Sequence, residues 1–353
     1  MNTQKIDKQK LKHHAISQTL FPPTTLKKAV NKLGFVQIDP IKSPATAHDL
    51  VLRHRVNDYH VKDIETQYSK LNLEEDYLFA HGYMTQDIFN LLHPRTPSKI
   101  TAVDQQVLER IQTMEEIYPK DLEKHFEKKS EINWWGGNSN ATRMALDRLH
   151  YYGYVRVAGR KSGFRIYKAF TPTLSEMTQD ERLGKIVMAI VNIMAPVTTK
   201  TLQQSMHRIH RHFGQTGPII NNLLKTGELE SQTIDGLTYI WSPKNLPKIT
   251  EHIGVKFLSP FDPVVRDRFR FEHLWGWNYQ FEAYVPEAKR IRGYYAMPLL
   301  YNNDVIGWAN IKNIKGELKV DLGFIKQRPK SKEFEKQLEE EIEKFKIFLN
   351  LVV

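Results

Sequence analysis

Cysteine is absent from the 353-residue chain, which excludes disulfides, thiolate nucleophiles and zinc sites of the cysteine type. No run of about 18 apolar residues occurs, so no segment reads as membrane-spanning. Met1 to Lys12 is polar and lysine-rich with no apolar core behind it, and does not read as a secretory signal. The expectation is a reducing setting, the cytoplasm of a bacterium. Also missing are a glycine-rich phosphate loop, a dinucleotide fingerprint and the helical His-Glu and second His of a metalloprotease. A two-metal nuclease wants clustered carboxylates, and no such cluster stands in the sequence.

What is there is charge of one sign. Lys and Arg number 51 against 40 Asp and Glu, a formal net charge of +11. Such a field favours polyanions, because each neutralised phosphate releases a condensed counterion; a merely soluble basic protein is the other reading. With 41% hydrophobic residues the chain can bury two or three ordinary cores, which predicts small domains in series.

Short helical blocks are expected over Ile6 to Thr19, Thr24 to Leu33, Thr46 to Arg55 and Val61 to Leu71. Thr24 or Thr25 supplies an N-cap and Gly34 a stop; Phe35 to Asp39 then reads as a strand ended by Pro40. Helices are predicted over Ser98 to Tyr118, from Pro119 to Phe126 and over Ser139 to Tyr152 after a Trp134-Trp135-Gly136-Gly137 turn. Strands Tyr154 to Val157 and Phe164 to Phe170 follow, joined by a turn at Ala158 to Gly163. Helix, helix, helix, hairpin is the order of a winged helix. It returns as helices Asp180 to Met194, Thr198 to Met206 and Gln215 to Thr226, then a hairpin Glu228 to Trp241 turned at Asp235-Gly236. Beyond Lys256, alternating runs Gln280 to Val285, Tyr294 to Leu300, Val305 to Ile311 and Leu318 to Leu322 predict an antiparallel sheet, closed by a helix over Ser331 to Leu351.

The fold class expected is therefore α+β, with tandem winged helices forming a basic concave surface and a C-terminal antiparallel β domain with a terminal helix. The segments are 1–97, a helical lobe; 98–172 and 173–250, winged helices; and 251–353, the β domain.

Between Ser139 and Phe170 the basic residues Arg143, Arg148, Arg156, Arg160, Lys161, Arg165 and Lys168 face one acid, Asp147. The excess falls on the expected recognition helix and wing, where a duplex backbone would be met. Arg208, Arg211, Arg266 and Arg268 belong to further basic clusters. Solvated surface is the other reading of each cluster. His207, His210 and His212 have no carboxylate or fourth ligand at a helpful spacing, so phosphate contact or plain surface is expected rather than a metal. No cofactor is expected.

Gln37 and Asp39 stand two apart on the expected strand, which would put both on one face with Val36 and Ile38 toward the core. A strand-end aspartate capping the turn at Pro40 is the alternative. Leu33 to Ile41, with its Gln-x-Asp pattern, resembles the winged-helix DNA glycosylase superfamily of the YcaQ and AlkZ type, which repairs bulky alkyl adducts and interstrand cross-links. The AlkZ version has a second Gln. Ala45 to Leu50, Leu52 to Arg55 and Tyr77 to His81 are similar to that family's segments. So are Leu258 to Arg268, Tyr284 to Arg290 and Gly293 to Tyr295.

The resemblance implies hydrolysis of the N-glycosidic bond of N7-alkylated purines in duplex DNA, by a monomer without metal. Asp39 would be the catalytic carboxylate and Gln37 would orient the water. A base alkylated at N7 is already cationic and leaves as a neutral purine, so the remaining work is to stabilise an oxocarbenium-like sugar and aim a water. A carboxylate does the first and can take the water's proton; a neutral amide can hold that water. No lysine nucleophile is needed, so no strand cleavage is expected. His48, Arg53, Arg55, His81 and Arg95 join the candidate DNA contacts, with packed histidine the other reading of His48 and His81. A non-catalytic transcription regulator is the alternative function; the last helix would then dimerise.

Overall fold

The helix Leu26–Leu33 begins at Thr25, whose side chain accepts the amide of Lys28, and stops at Gly34 with φ 71°. Both ends follow from residue type: a β-region hydroxyl satisfies a free amide, and only glycine enters positive φ without strain. The same logic sets the helix Lys332–Phe348 behind Ser331 and the hairpin Glu230–Ile234 with Leu237–Trp241, turned by Asp235 and Gly236 at φ 47° and 80°. The structure is a computed structural model that describes residues 6–96, 99–126, 130–132, 138–161, 163–171, 176–245 and 254–351.

The chain is mixed α and β with antiparallel pairing, and it divides into two compact units. One comprises Met1–Asp63, Val187–His207 and Gln215–Val353; the other comprises Ile64–Ile186 and Arg208–Gly214. The cut after Asp63 falls inside the segment 1–97.

In the first unit, strands Val255–Phe257, Met297–Tyr301, Asp304–Ile314 and Glu317–Phe324 form an antiparallel sheet in chain order. A smaller sheet sets Leu237–Trp241 between Val197–Thr198 and Glu230–Ile234. Leu11, Ile16, Tyr239, Trp241, Val264, Phe271, Trp275 and Leu300 share one buried cluster. The helix Lys332–Phe348 buries Phe334, Leu338, Glu341, Phe345 and Phe348, so the face that a dimerisation helix would need is spent inside its own chain.

The second unit contains an acidic hairpin, Leu73–Tyr77 paired with His81–Thr85. After the helix Gln86–Leu92 come Ala102–Gln112, Pro119–Glu123 and Ala141–Tyr152, then a hairpin of Val155–Lys161 with Phe164–Ala169. A capping box between Thr101 and Asp104 sets the start of Ala102–Gln112.

Several expectations are corrected. The helix expected over Ser98 to Tyr118 is confined to Ala102–Gln112, because Thr101 caps it late and Pro119 follows; Ser98 itself and the Trp134-Gly137 turn lie outside the described residues. Most of the expected turn Ala158 to Gly163 is strand, since the backbone stays paired through Lys161 and Phe164. Gln280 to Val285 is loop rather than strand.

Three consecutive acids, Glu74, Glu75 and Asp76, are each 5% exposed or less. Arg156 pairs with Glu74 at 2.8 Å, Arg160 and Arg165 with Glu75, and Arg95 and His93 with Asp76. Against the cost of burial, Arg165 and Arg160 hold Glu75, and Arg95 holds Asp76, well below the usual carboxylate range. Glu74 differs: burial outweighs Arg156 and pushes its carboxyl from 4.5 up to about 7. Between those two values the folded chain keeps a proton that the unfolded chain has released, so this group makes stability fall as pH rises through that window. Glu74→Gln is expected to remove roughly 1–3 kcal/mol of that fall. Urea unfolding of both proteins at both ends of the window checks this; parallel curves refute it.

Candidate active site

The strand that follows Gly34 is short, Phe35–Gln37. Phe35 and Val36 are both buried, at 3% and 2% exposure, while Ile38 is only partly so. The expected alternation, with Val36 and Ile38 inward and Gln37 and Asp39 together opposite, is thereby corrected. Pro40 has no amide to continue a ladder, and the chain turns instead. Asp39 Oδ1 accepts the Ile41 amide at 2.9 Å, so this aspartate does cap the turn, which leaves its second oxygen for other work.

Asp39 is 9% exposed, and burial raises its carboxyl above the ordinary aspartate value, partly offset by the Ile41 amide. Among the described residues no ion pair joins it to a cation. Its neighbours in the field are two phenols, Tyr284 and Tyr295, both pushed up by burial and by the Asp39 charge. A carboxylate held this way keeps its full charge for whatever cation forms beside it.

Gln37 is held from the other side. Arg266 Nη1 donates to Gln37 Oε1. A guanidinium has donors only, so the amide's oxygen must face Arg266 and its NH2 group must point elsewhere. Arg266 closes the short helix Pro263–Arg266, which Asp262 caps through the Val264 amide at 3.0 Å.

The same Asp262 is tied down in turn. Arg55, with no exposed surface, makes a two-pronged pair with it at 2.9 and 3.0 Å and donates to the Thr19 and Val51 carbonyls. Asp267, equally buried, accepts from Thr198 and Thr201, while Arg270 donates to the carbonyls of Met194, Pro196, Pro263 and Val264. The stretch from Asp262 to Arg270 thus fixes the backbone that presents Arg266. Arg266, which in sequence belongs to a basic cluster, here donates to the Gln37 amide.

Arg266→Ala is expected to lower kcat about 10- to 150-fold, because a freed amide loses its single orientation and a charge-assisted hydrogen bond contributes roughly 1.5–3 kcal/mol. Arg266→Lys, which can still donate, is expected to recover part of that, with little change in KM. A loss in KM alone would assign Arg266 to DNA binding instead.

The model of the family described as DNA glycosylase AlkZ-like matches residues 30–348. The chain belongs to that family. It is a DNA glycosylase, a DNA repair enzyme, and a non-catalytic regulator is set aside. Among solved structures, the DNA glycosylase AlkZ of Streptomyces sahachiroi is similar in fold, with a TM-score of 0.64 and 13% identity over 98% of this chain and 97% of that one. Gln37, Asp39 and Arg266 all fall within the stretch matched by the AlkZ-like family.

The structure separates the other candidates for DNA contact in this AlkZ-like chain into two groups. Arg143, Lys161, Arg208, Arg211 and Arg268 are exposed. Arg143 leans on Glu123 at 3.2 Å and Arg208 lies over the Tyr77 ring.

The remaining candidates have partners inside the protein, some fully buried and some still partly exposed. Arg55 and Arg95 are buried on Asp262 and Asp76. The Arg53 side chain, 3% exposed, donates to Glu341 and lies over Phe345. Arg148 is bound by Asp104 and Glu131, and Arg160 and Arg165 by Glu75. His48 is buried against Thr46, and His81 accepts from Arg165 at 2.7 Å, with burial lowering its pKa to about 4. His212 is used at both ring nitrogens, by the Tyr151 hydroxyl and the Thr96 carbonyl. Among the described residues no three His, Asp or Glu side chains gather as metal ligands, and no helix is long and apolar enough to cross a membrane.

Proposed function

We propose that this DNA glycosylase hydrolyses the N-glycosidic bond of N7-alkylated purines, bulky or cross-linked, in duplex DNA. Asp39 stabilises the cationic sugar and takes the water's proton, and Gln37 orients the water. The observation that carries this reading is the pair itself: a carboxylate with no cation partner among the described residues, two residues from an amide whose direction Arg266 sets.

The sugar becomes cationic as the neutral purine departs, and an unpaired carboxylate is the group that gains most from that change. No amine is required at the anomeric carbon, so the product is an intact strand with an abasic site. We also read the second unit's helices and hairpin, and the helices Thr199–Met206 and Gly217–Lys225 with the hairpin Glu230–Trp241, as winged helices within the four segments 1–97, 98–172, 173–250 and 251–353. The order of elements supports this, and a monomer in the bacterial cytoplasm fits it.

The test is release of free 7-alkylguanine from alkylated duplex, with strand cleavage scored in parallel. Release by the wild type, lost in Asp39→Asn and insensitive to chelator, is expected. Equal release by both proteins, or none by either, overturns the assignment.

A further inference from the structure

Beside Asp39 the chain displays apolar side chains on a loop that it holds still. Tyr284 is 76% and Ile291 80% exposed, the largest exposures among the big hydrophobic residues described. Glu282, only 4% exposed, accepts the amides of Ile291, Arg292 and Gly293 at 2.9, 2.8 and 3.1 Å. Asn310 donates to the Arg292 carbonyl at 2.7 Å, and Gly293, at φ 121°, lies against the Asn310 side chain where no Cβ fits. Arg290 donates to the Val285 carbonyl at 2.8 Å and covers the Tyr294 ring, and Arg292 covers Trp277. Underneath, Phe281 packs on Phe261, Tyr295 and Tyr284.

Apolar groups in water are ordinarily tolerated one at a time. Here two are carried on a braced loop whose ordering cost folding has already met, so a partner would lose little entropy by meeting them. Lys289, exposed, and Arg290 supply positive charge on the same loop. An aromatic face, an aliphatic tip and flanking cations suit stacked bases between phosphates. The alkylated purine adds a reason for the aromatic: it is a cation, and the face of a phenol ring attracts cations.

We propose that the loop from Glu282 to Tyr294 is a DNA-contacting surface in which Tyr284 lies on the face of the cationic base beside Asp39, while Ile291 and Lys289 meet the neighbouring step and phosphate. Tyr284 is then a specificity-determining residue, and the proposal rests on the glycosylase reading of Asp39.

In the full-length protein, Tyr284→Ala is expected to raise the half-saturating concentration of a duplex carrying 7-methylguanine about 5- to 100-fold, the range for a lost base stack. Binding of unmodified duplex changes less. Tyr284→Phe, which keeps the ring, is expected to recover most of that loss, and Ile291→Ser to weaken both duplexes alike. Both side chains are exposed, so unchanged thermal unfolding is the control. Tyr284→Ala matching the wild type, or Phe failing to recover what Ala loses, overturns the proposal while Asp39→Asn remains inactive. No release by the wild type sinks the glycosylase reading itself, and equilibrium binding of the two duplexes still decides whether Tyr284 discriminates them.

Discussion

Asp39→Asn is expected to lower kcat for release of 7-methylguanine on the order of 10²- to 10³-fold, the scale at which one preorganised electrostatic group acts in other enzymes. Asparagine keeps the size of the side chain and can still accept the Ile41 amide, so the turn at Pro40 should survive and thermal unfolding should not move. What is lost is the charge alone. In the ground state the positive charge of the substrate sits on the purine; as the bond breaks it passes to the sugar, and a carboxylate that is not already neutralised gains from that transfer. The loss therefore falls on kcat, with binding of the alkylated duplex little changed. Because burial raises the Asp39 carboxyl, release by the wild type should also decline on acidification with a midpoint above that of an ordinary aspartate, as the required anion is protonated. Single-turnover base release across pH checks both statements, and an acid limb that persists unchanged in the Asn variant would falsify the second.

The site was legible where chemistry is local and obscure where it is long-range. Gln37 and Asp39 stand out in sequence because an amide and a carboxylate between apolar residues are conspicuous, but their orientation was misread. Strand alternation holds only as far as the ladder does, and Pro40 ends it, so Asp39 answers to the turn. The cap at Thr24 or Thr25, which falls on Thr25, the stop at Gly34 and the turn at Asp235-Gly236 are legible because a cap or a tight turn depends on a few neighbouring residues.

The hairpin of Leu73–Tyr77 with His81–Thr85 was missed because three successive acids look like solvent-facing helix or loop. The partners of Glu74 and Glu75, Arg156, Arg160 and Arg165, lie 82 to 90 residues onward, beyond the reach of any periodicity. The same long-range pairing is why a count of basic residues does not show which of them have acidic partners within the chain. Gln280 to Val285 alternates like a strand, but Glu282 spends its carboxylate on backbone amides of the loop, and Phe281 packs downward in place of pairing.

Arg55→Met should destabilise the protein by about 3–5 kcal/mol, the cost of leaving a buried carboxylate without its cation. Arg55 and Asp262 have no exposed surface, and removing the guanidinium also deprives the Thr19 and Val51 carbonyls of donors. Adding Asp262→Asn to Arg55→Met should recover part of the loss, since the uncompensated charge goes while the side chain can still cap Val264.

The effect reaches the chemistry through one helix. Asp262 starts Pro263–Arg266, and Arg266 holds Gln37, so a loosened Asp262 should lower kcat even at temperatures where the variant stays folded. A phosphate contact predicts a different pattern: stability unchanged, and the slope of log affinity against log salt smaller by about one. Denaturant midpoints and a salt titration on the same two variants distinguish an arginine that binds DNA from one that aims the residue beside the reacting bond.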